Sequence, residues 1–294
     1  MRLASVPGHR DAPAFPDPGL DGLEAACDAD NRAHVPPGTA GLLLDMPICW
    51  REAWLGLPEA AQFHARVPTR DDLIEHLQAG IDEAKRLRVK YVTIRASHAT
   101  PEGILTSRHA YTDYDVLEAM AEWVFLAMGE RDQGFDVLFE NTWHAGLRWN
   151  EPRLAERLLE KVRGPRAGFA FDVGHFLLVT GGPTTETADL RRLKNFFRTL
   201  GKLSSRIRAL CLHRPGAAPV ASDLVRKVRA SQDPDEKAEI ARKFDTAVDT
   251  HQPWVSAPLK ELVEIVQPAY VVHRLRGEGE AWADAVRRQD ALLK

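Results

Sequence analysis

From Ala40 onward, short apolar runs alternate with longer stretches of helical period, the pattern of strands and helices laid around a parallel sheet. After the run Gly41 to Asp45, Thr69 with Asp72 three residues on reads as a capping box, and Leu73, Ile74, Leu77 and Ile81 trace one helical face. Tyr91 to Arg95 reads as a strand. Thr112 with Asp115 starts the next helix, which turns Val116, Leu117, Met120, Trp123, Val124 and Ala127 inward before the strand Phe135 to Glu140.

The unit repeats through the rest of the chain. Asn150 is placed to cap a helix with Pro152 in its first turn and Leu154, Leu158, Leu159 and Val162 inward, ahead of the strand Gly168 to Val173. Leu190, Leu193, Phe196, Phe197 and Leu200 form a helix stopped by Gly201, and Ile207 to His213 is a strand. Ser256 and Pro258 start a helix carrying Leu259, Leu262, Val263 and Val266; Pro268 ends it, Tyr270 to Leu275 is the last strand, and Glu280 to Leu293 closes the chain as a helix. With Arg2 to Val6, Gly22 to Ala26 and Gly41 to Asp45 as early strands the count reaches eight, which predicts a (β/α)8 TIM barrel spanning 1–294 as a single domain. Proline-rich sequence between Pro7 and Gly19 leaves the first βα unit degenerate or incomplete. Segment 214–255, with a polar helical stretch from Pro234 to Thr250, reads as an insertion over the barrel mouth.

Composition narrows the partners. The 294 residues are 44% hydrophobic, and 39 Lys+Arg stand against 42 Asp+Glu. A formal charge of -3 supplies no basic field to hold nucleic acid or an anionic membrane. Cys27, Cys49 and Cys211 are an odd, scattered set without a CxxC pair, which fits a reducing compartment. No stretch has the apolar core of a signal peptide or a membrane span, so a cytoplasmic protein is expected.

In a parallel barrel the site forms where strands end, so polar residues that finish apolar strands are the candidates. Glu140 and Asn141 finish one strand, and Asp172 finishes another with His175 just beyond it. Ala209, Cys211 and His213 share one face of the next strand, opposite Leu210 and Leu212. Glu140, Asp172 and His213 make an O,O,N set suited to Mn, Zn, Co or Mg. Such an ion polarises a sugar carbonyl or hydroxyl while carboxylates move a proton. Trp143 and His144 follow Glu140 and are placed to wall a sugar pocket, while His98, His251 and His273 are lone candidates. His273 and Arg274 alternate, so only one of them faces inward.

Leu138-Phe-Glu-Asn-Thr-Trp-His-Ala-Gly-Leu147, Phe171-Asp-Val-Gly-His-Phe-Leu177 and Tyr270-Val-Val-His-Arg-Leu275 resemble the sugar phosphate isomerase/epimerase family of xylose isomerase-like TIM barrels, related to the apurinic endonuclease IV superfamily. The resemblance runs from about residue 19 to the C-terminus. It implies a divalent metal held by Glu, Asp, His and Glu from successive strands, with Glu140 and Asp172 matching the first two and His175 matching a contact to substrate or an additional metal. Cys211 stands where the pattern's histidine pair begins, leaving Cys211 or His213 as the third ligand. Arg274 stands where the last Glu is expected, and Leu43 and Arg95 stand where histidines are expected.

A guanidinium cannot be deprotonated, so Arg274 beside Glu140 and Asp172 supplies the positive charge that a dication supplies elsewhere. One such pair at about 4 Å gains about 4 kcal/mol at an effective dielectric near 20, before desolvation. Two readings follow. One is a metal-dependent isomerase or epimerase of a small sugar or sugar derivative, using Glu140, Asp172, His175 and His213. The other is a barrel whose metal site has degenerated and which binds a small anion or a protein, with Arg95 and Arg274 as anion contacts. Abasic-site endonuclease chemistry needs a fuller ligand set and a basic surface, and the chain has neither.

Overall fold

The computed structural model describes residues 1–6, 15–27, 35–44, 46–57, 69–219 and 221–294. Eight strands, β1 Arg2–Val6, β2 Gly22–Cys27, β3 Thr39–Leu44, β4 Tyr91–Arg95, β5 Asp136–Glu140, β6 Ala167–Asp172, β7 Ile207–Leu212 and β8 Tyr270–His273, form a closed parallel barrel. Each strand pairs with the next in sequence, and β8 returns to β1 with Ala4 opposite His273. Among the described residues no helix joins β1 to β2 or β2 to β3, in keeping with the expected loss at the first unit. Asp45 and residues 7–14 of the proline-rich stretch lie outside the described residues.

Local sequence chemistry explains the main helices. Thr69 and Thr112 close full capping boxes with Asp72 and Asp115 at the starts of α2 (Arg70–Leu87) and α4 (Asp113–Met128). Two short helices unmarked by periodicity, α1 (Trp50–Trp54) and α3 (Pro101–Thr106), lie after β3 and β4. The helix α5 (Pro152–Val162) is capped by the backbone of Glu151 without a side-chain bond, not by Asn150. At the end of β6 the chain turns at once into α6 (Val173–Val179), followed by α7 (Glu186–Thr199).

Segment 214–255 contains two helices, α8 (Ser222–Ala230) and α9 (Pro234–Val248). Val228, Phe244 and Val248 pack with Ile104 and Leu105 of α3 in a separate apolar cluster. That contact sets the end of α9 against the barrel mouth. The helix expected from Ser256 begins instead at Lys260, as α10 (Lys260–Val266), because the Glu186 carboxylate accepts the backbone N–H groups of Val255, Ser256 and Ala257. The C-terminal helix is α11 (Gly279–Ala291). Among the described residues no helix is long and apolar enough to cross a membrane.

Strand alternation divides the core into two layers. Leu3, Tyr91, Leu138, Ala170, Cys211 and Val272 fill the barrel interior, while Leu210 and Leu212 join the outer layer under the helices. A Cβ on Gly41 would overlap the Tyr91 ring, so glycine at that position makes room for an interior tyrosine. The phenol reaches up to Glu24, the first member of the polar layer above.

Candidate functional site

Above the apolar interior, the C-terminal strand ends carry a buried layer of ionisable groups. Arg274 follows β8 and is 3% exposed. Its Nε donates to Glu24 Oε1 at 2.8 Å, and its Nη1 donates to Glu140 Oε2 and to Asp172 Oδ2, the latter at 3.5 Å. Nη2 is buried and has no acceptor among the described residues. Glu24 also accepts from the Tyr91 hydroxyl at 2.9 Å, and Arg95 Nε lies 3.4 Å from Glu140 Oε1. The inward choice between His273 and Arg274 is settled by α11, whose Gln289 bonds His273 Nδ1 on the outer side of the barrel at 2.8 Å.

The second cluster lies beside the first, on the same rim. Asp172 both caps α6, accepting from the His175 backbone N–H at 2.9 Å, and accepts from His213 Nε2 at 2.7 Å. Asn141 links the two strand ends, its amide bonding the backbone of Asp172 in both directions at 2.8 and 3.0 Å. Asp249, just past α9, meets His175 Nε2 at 3.3 Å and His251 Nε2 at 2.7 Å through Oδ2, while its Oδ1 faces His213 Nδ1 at 3.6 Å. Among the described residues neither Asp249 Oδ1 nor His213 Nδ1 has a hydrogen-bond partner. The His213 and His251 rings stack at 4.0 Å.

The three histidines share one arrangement. His175 Nδ1 donates to the Asn141 carbonyl at 2.8 Å, His251 Nδ1 to the Arg274 carbonyl at 2.8 Å, and His213 Nε2 to Asp172. In each ring one nitrogen is committed to an oxygen acceptor, and the other is turned toward Asp249. Metal-ligating histidines are oriented by such outer hydrogen bonds. Four donor atoms from His175, His213, Asp249 and His251 lie within 4.8 Å of one another.

Burial shapes the acid–base behaviour of both clusters. It raises the carboxyls of Asp172 and Asp249, but neighbouring imidazoles outweigh it and hold both well below the usual carboxylate range. Burial opposes protonation of His175, yet Asp172 and Asp249 push it up to about 9. His251 is driven down, first by burial and then by His213. Four buried carboxylates (Glu24, Glu140, Asp172 and Asp249) face two guanidinia, so the layer carries excess negative charge even with His175 protonated.

The residues picked from the sequence therefore separate. Glu140, Asp172, His175 and His213 converge as expected. A dication between Glu140 and Asp172 does not fit, because Arg274 already donates to both and His175 Nδ1, the nitrogen facing them, is bonded to Asn141. Cys211 lies in the barrel interior below the rim; burial raises its thiol well above the ordinary value, and it belongs to neither group of converging donors. The His175, His213, Asp249 and His251 set does fit an ion, on its orphaned nitrogen and oxygen.

Two cavities open on this layer. One of about 80 Å³ is lined by Arg95, Trp143, His144, His175, Asp245 and Asp249, and Trp143 packs 4.8 Å from the His175 ring. The other, of about 680 Å³, is lined by Leu43, Arg95, His251, Arg274 and Arg276 among others. Glu140 and Asp172 line neither, so they act through the groups they hold. A groove of about 750 Å³ outside the barrel, between α1, α4 and α5, contains no such cluster. Sequence reading overlooked Glu24 and Asp249. A lone acid in the apolar run Gly22 to Cys27, and the Asp249-Thr-His251 alternation, were the available signals.

Fold and rim together define a (β/α)8 barrel with a polar cluster at its C-terminal mouth. Solved structures with this architecture include L-ribulose 3-epimerase (TM-score 0.53, 10% identity, covering 94% of this chain and 84% of the other). Mannonate dehydratase from Streptococcus suis is similar at TM-score 0.52 and 12% identity, over 99% and 91% of the two chains. A xylose isomerase-like TIM barrel protein from Mycobacterium smegmatis in complex with magnesium is similar at TM-score 0.51 and 11% identity, over 94% and 83%. These are proteins of the kind that the strand-end motifs resemble, and at such identities the likeness establishes the fold. No protein-family model and no curated protein sequence matches the chain.

Proposed function

We propose that the protein is a divalent-metal-dependent isomerase or epimerase of a small sugar or sugar derivative, with its ion at His175, His213, Asp249 and His251. The observation carrying this reading is that three imidazoles, each oriented by an outer hydrogen bond, turn their remaining nitrogens toward one carboxylate, where Nδ1 of His213 and Oδ1 of Asp249 lie 3.6 Å apart, buried and without a hydrogen-bond partner among the described residues. Nitrogen-rich sets of this kind suit Zn, Co or Mn better than Mg. A bound ion there supplies Lewis-acid polarisation of a carbonyl or hydroxyl oxygen.

The chain's own residues supply the rest. Isomerisation and epimerisation next to a carbonyl require a positioned group that removes and returns a proton. Asp245 and Asp249 are the carboxylates that reach the smaller cavity; Asp249 belongs to the ion site, which leaves Asp245, bonded to His144 at 3.2 Å, to carry the proton. Trp143 offers an aromatic face beside His175. Arg274 orients Glu140 and Asp172, and Asp172 in turn orients His213. The neighbouring folds include a sugar epimerase and a sugar-acid dehydratase, which supports this substrate class by analogy alone.

Elemental analysis of protein purified without chelator tests the site: about one transition-metal ion per chain is expected, and Asp249→Asn should lose it. Incubation of the loaded protein with aldoses and ketoses in D2O tests the reaction through exchange at the carbon next to the carbonyl, which Asp245→Asn should abolish. A metal-free protein that fails to take up added Zn would overturn the reading. The alternative of a degenerate, non-catalytic barrel draws on Arg274 and is favoured by that outcome.

A further inference from the structure

Three of the four positions at which this chain departs from the pattern it resembles, Leu43, Arg95 and Arg274 but not the interior Cys211, come from β3, β4 and the end of β8, yet all line the same 680 Å³ cavity. Two of the three departures put a guanidinium there. Arg274 is almost wholly buried, and its Nη2 is left without an acceptor among the described residues after Nε and Nη1 have met Glu24, Glu140 and Asp172. Arg276, whose Nη2 donates to the Asp249 carbonyl at 3.1 Å, adds a third guanidinium on the rim. An unsatisfied buried guanidinium N–H calls for an oxygen acceptor, and a planar fork is shaped for a carboxylate or phosphate. The volume is that of a pocket for a small metabolite.

We infer that this cavity binds the oxyanion of the substrate, a carboxylate or phosphate on a polyol, between Arg274 and Arg95, so that the substrates are sugar acids or sugar phosphates and not neutral sugars. The inference rests on the proposed metal-site reading for its geometry: His251 lines the cavity and belongs to the ion cluster, so one molecule spans both. It also rests on charge. Without an ion, the four buried carboxylates outnumber Arg95, Arg274 and a protonated His175 and oppose an incoming anion; a dication that takes the place of the His175 proton brings that balance to neutral. Oxyanion binding and metal binding should therefore strengthen one another.

The test is calorimetric titration of the full chain, zinc-loaded and chelator-treated, with D-gluconate, D-glucose 6-phosphate, inorganic phosphate and D-glucose. The loaded protein should bind at least one of the two charged sugars roughly 10- to 100-fold more tightly than D-glucose. Arg95→Leu should erase that preference while leaving the zinc content unchanged, and Arg95→Lys should restore part of it. Gluconate ahead of the phosphate ester assigns a carboxylate, and the reverse order assigns a phosphate. D-glucose binding as tightly as both anions, or an Arg95→Leu protein with its preference intact, overturns the inference. The readouts separate the two proposals: zinc bound without anion preference sinks the cavity assignment alone, whereas an Arg95-dependent preference in a protein that binds no zinc sinks the metal reading alone.

Discussion

Two buried clusters of ionisable side chains share the rim of this barrel, and they are built on opposite principles. Around Arg274, three carboxylates find their positive charge inside the protein. Around Asp249, three imidazoles face a single carboxylate, and two atoms in the middle have no hydrogen-bond partner among the described residues. The first cluster is tied together by the chain's own charge, with one guanidinium N–H group left over; the second is complete in its outer hydrogen bonds and open at its centre. A buried charge pair is costly to break from one side because the survivor is stranded, whereas an open ligand set gains from an external ion. Arg274 thus occupies the space between Glu140 and Asp172, while the neighbouring part of the rim keeps a set of donors that could hold an ion.

The largest expected effect comes from breaking the first cluster. Arg274→Leu strands Glu24, Glu140 and Asp172 and should cost about 3–5 kcal/mol in urea unfolding. Asp249→Asn should cost far less, and equal losses would erase the contrast. Next, zinc at a hundredfold excess over its dissociation constant should stabilise the native chain by about 2.7 kcal/mol, seen as a higher melting temperature. His251→Ala and Asp249→Asn should show no such gain, and a gain preserved in both would place the ion elsewhere. Arg274→Glu should convert the first cluster into an open one, raising the ion count in equilibrium dialysis from about one to about two per chain. An unchanged count would separate Arg274 from the acids functionally.

The smallest effect is a control outside both clusters. Burial, helped by His144 and Arg148, lowers His109 to about 4. Its folded value lies below its unfolded one of about 6.5, so its contribution to stability is present above the unfolded value and is lost as the pH falls toward 4. His109→Asn should flatten the stability profile slightly between these limits, with zinc affinity unaltered. A steeper profile would reverse the sign.

Much of this was legible in the sequence where the physics is local. The Thr69 and Thr112 capping boxes need only residues three apart, and the alternation of Leu210 and Leu212 with Ala209 and Cys211 needs only a strand. Glu140, Asp172 and Arg274 were identifiable because they finish apolar runs, and the structure brings them together. Asn150 was misread as a cap because a favourable residue type does not ensure the backbone geometry of a cap. The start of α10 was misread because Glu186, 70 positions from Ser256, holds the chain there in a loop. Glu24 and Asp249 were passed over because nothing near them in sequence shows what they would touch.

The amino-acid order by itself determined which segments become strands and helices and which charged residues stand at strand ends, since these follow from patterns a few residues long. Which of His273 and Arg274 turns inward, and whether the rim acids are satisfied by a guanidinium or left to an ion, was decided only when the barrel closed. Arg274 and Glu24 are 250 positions apart and 2.8 Å from contact. Desolvation and Coulomb energy depend on that distance in space, to which separation along the chain gives no guide.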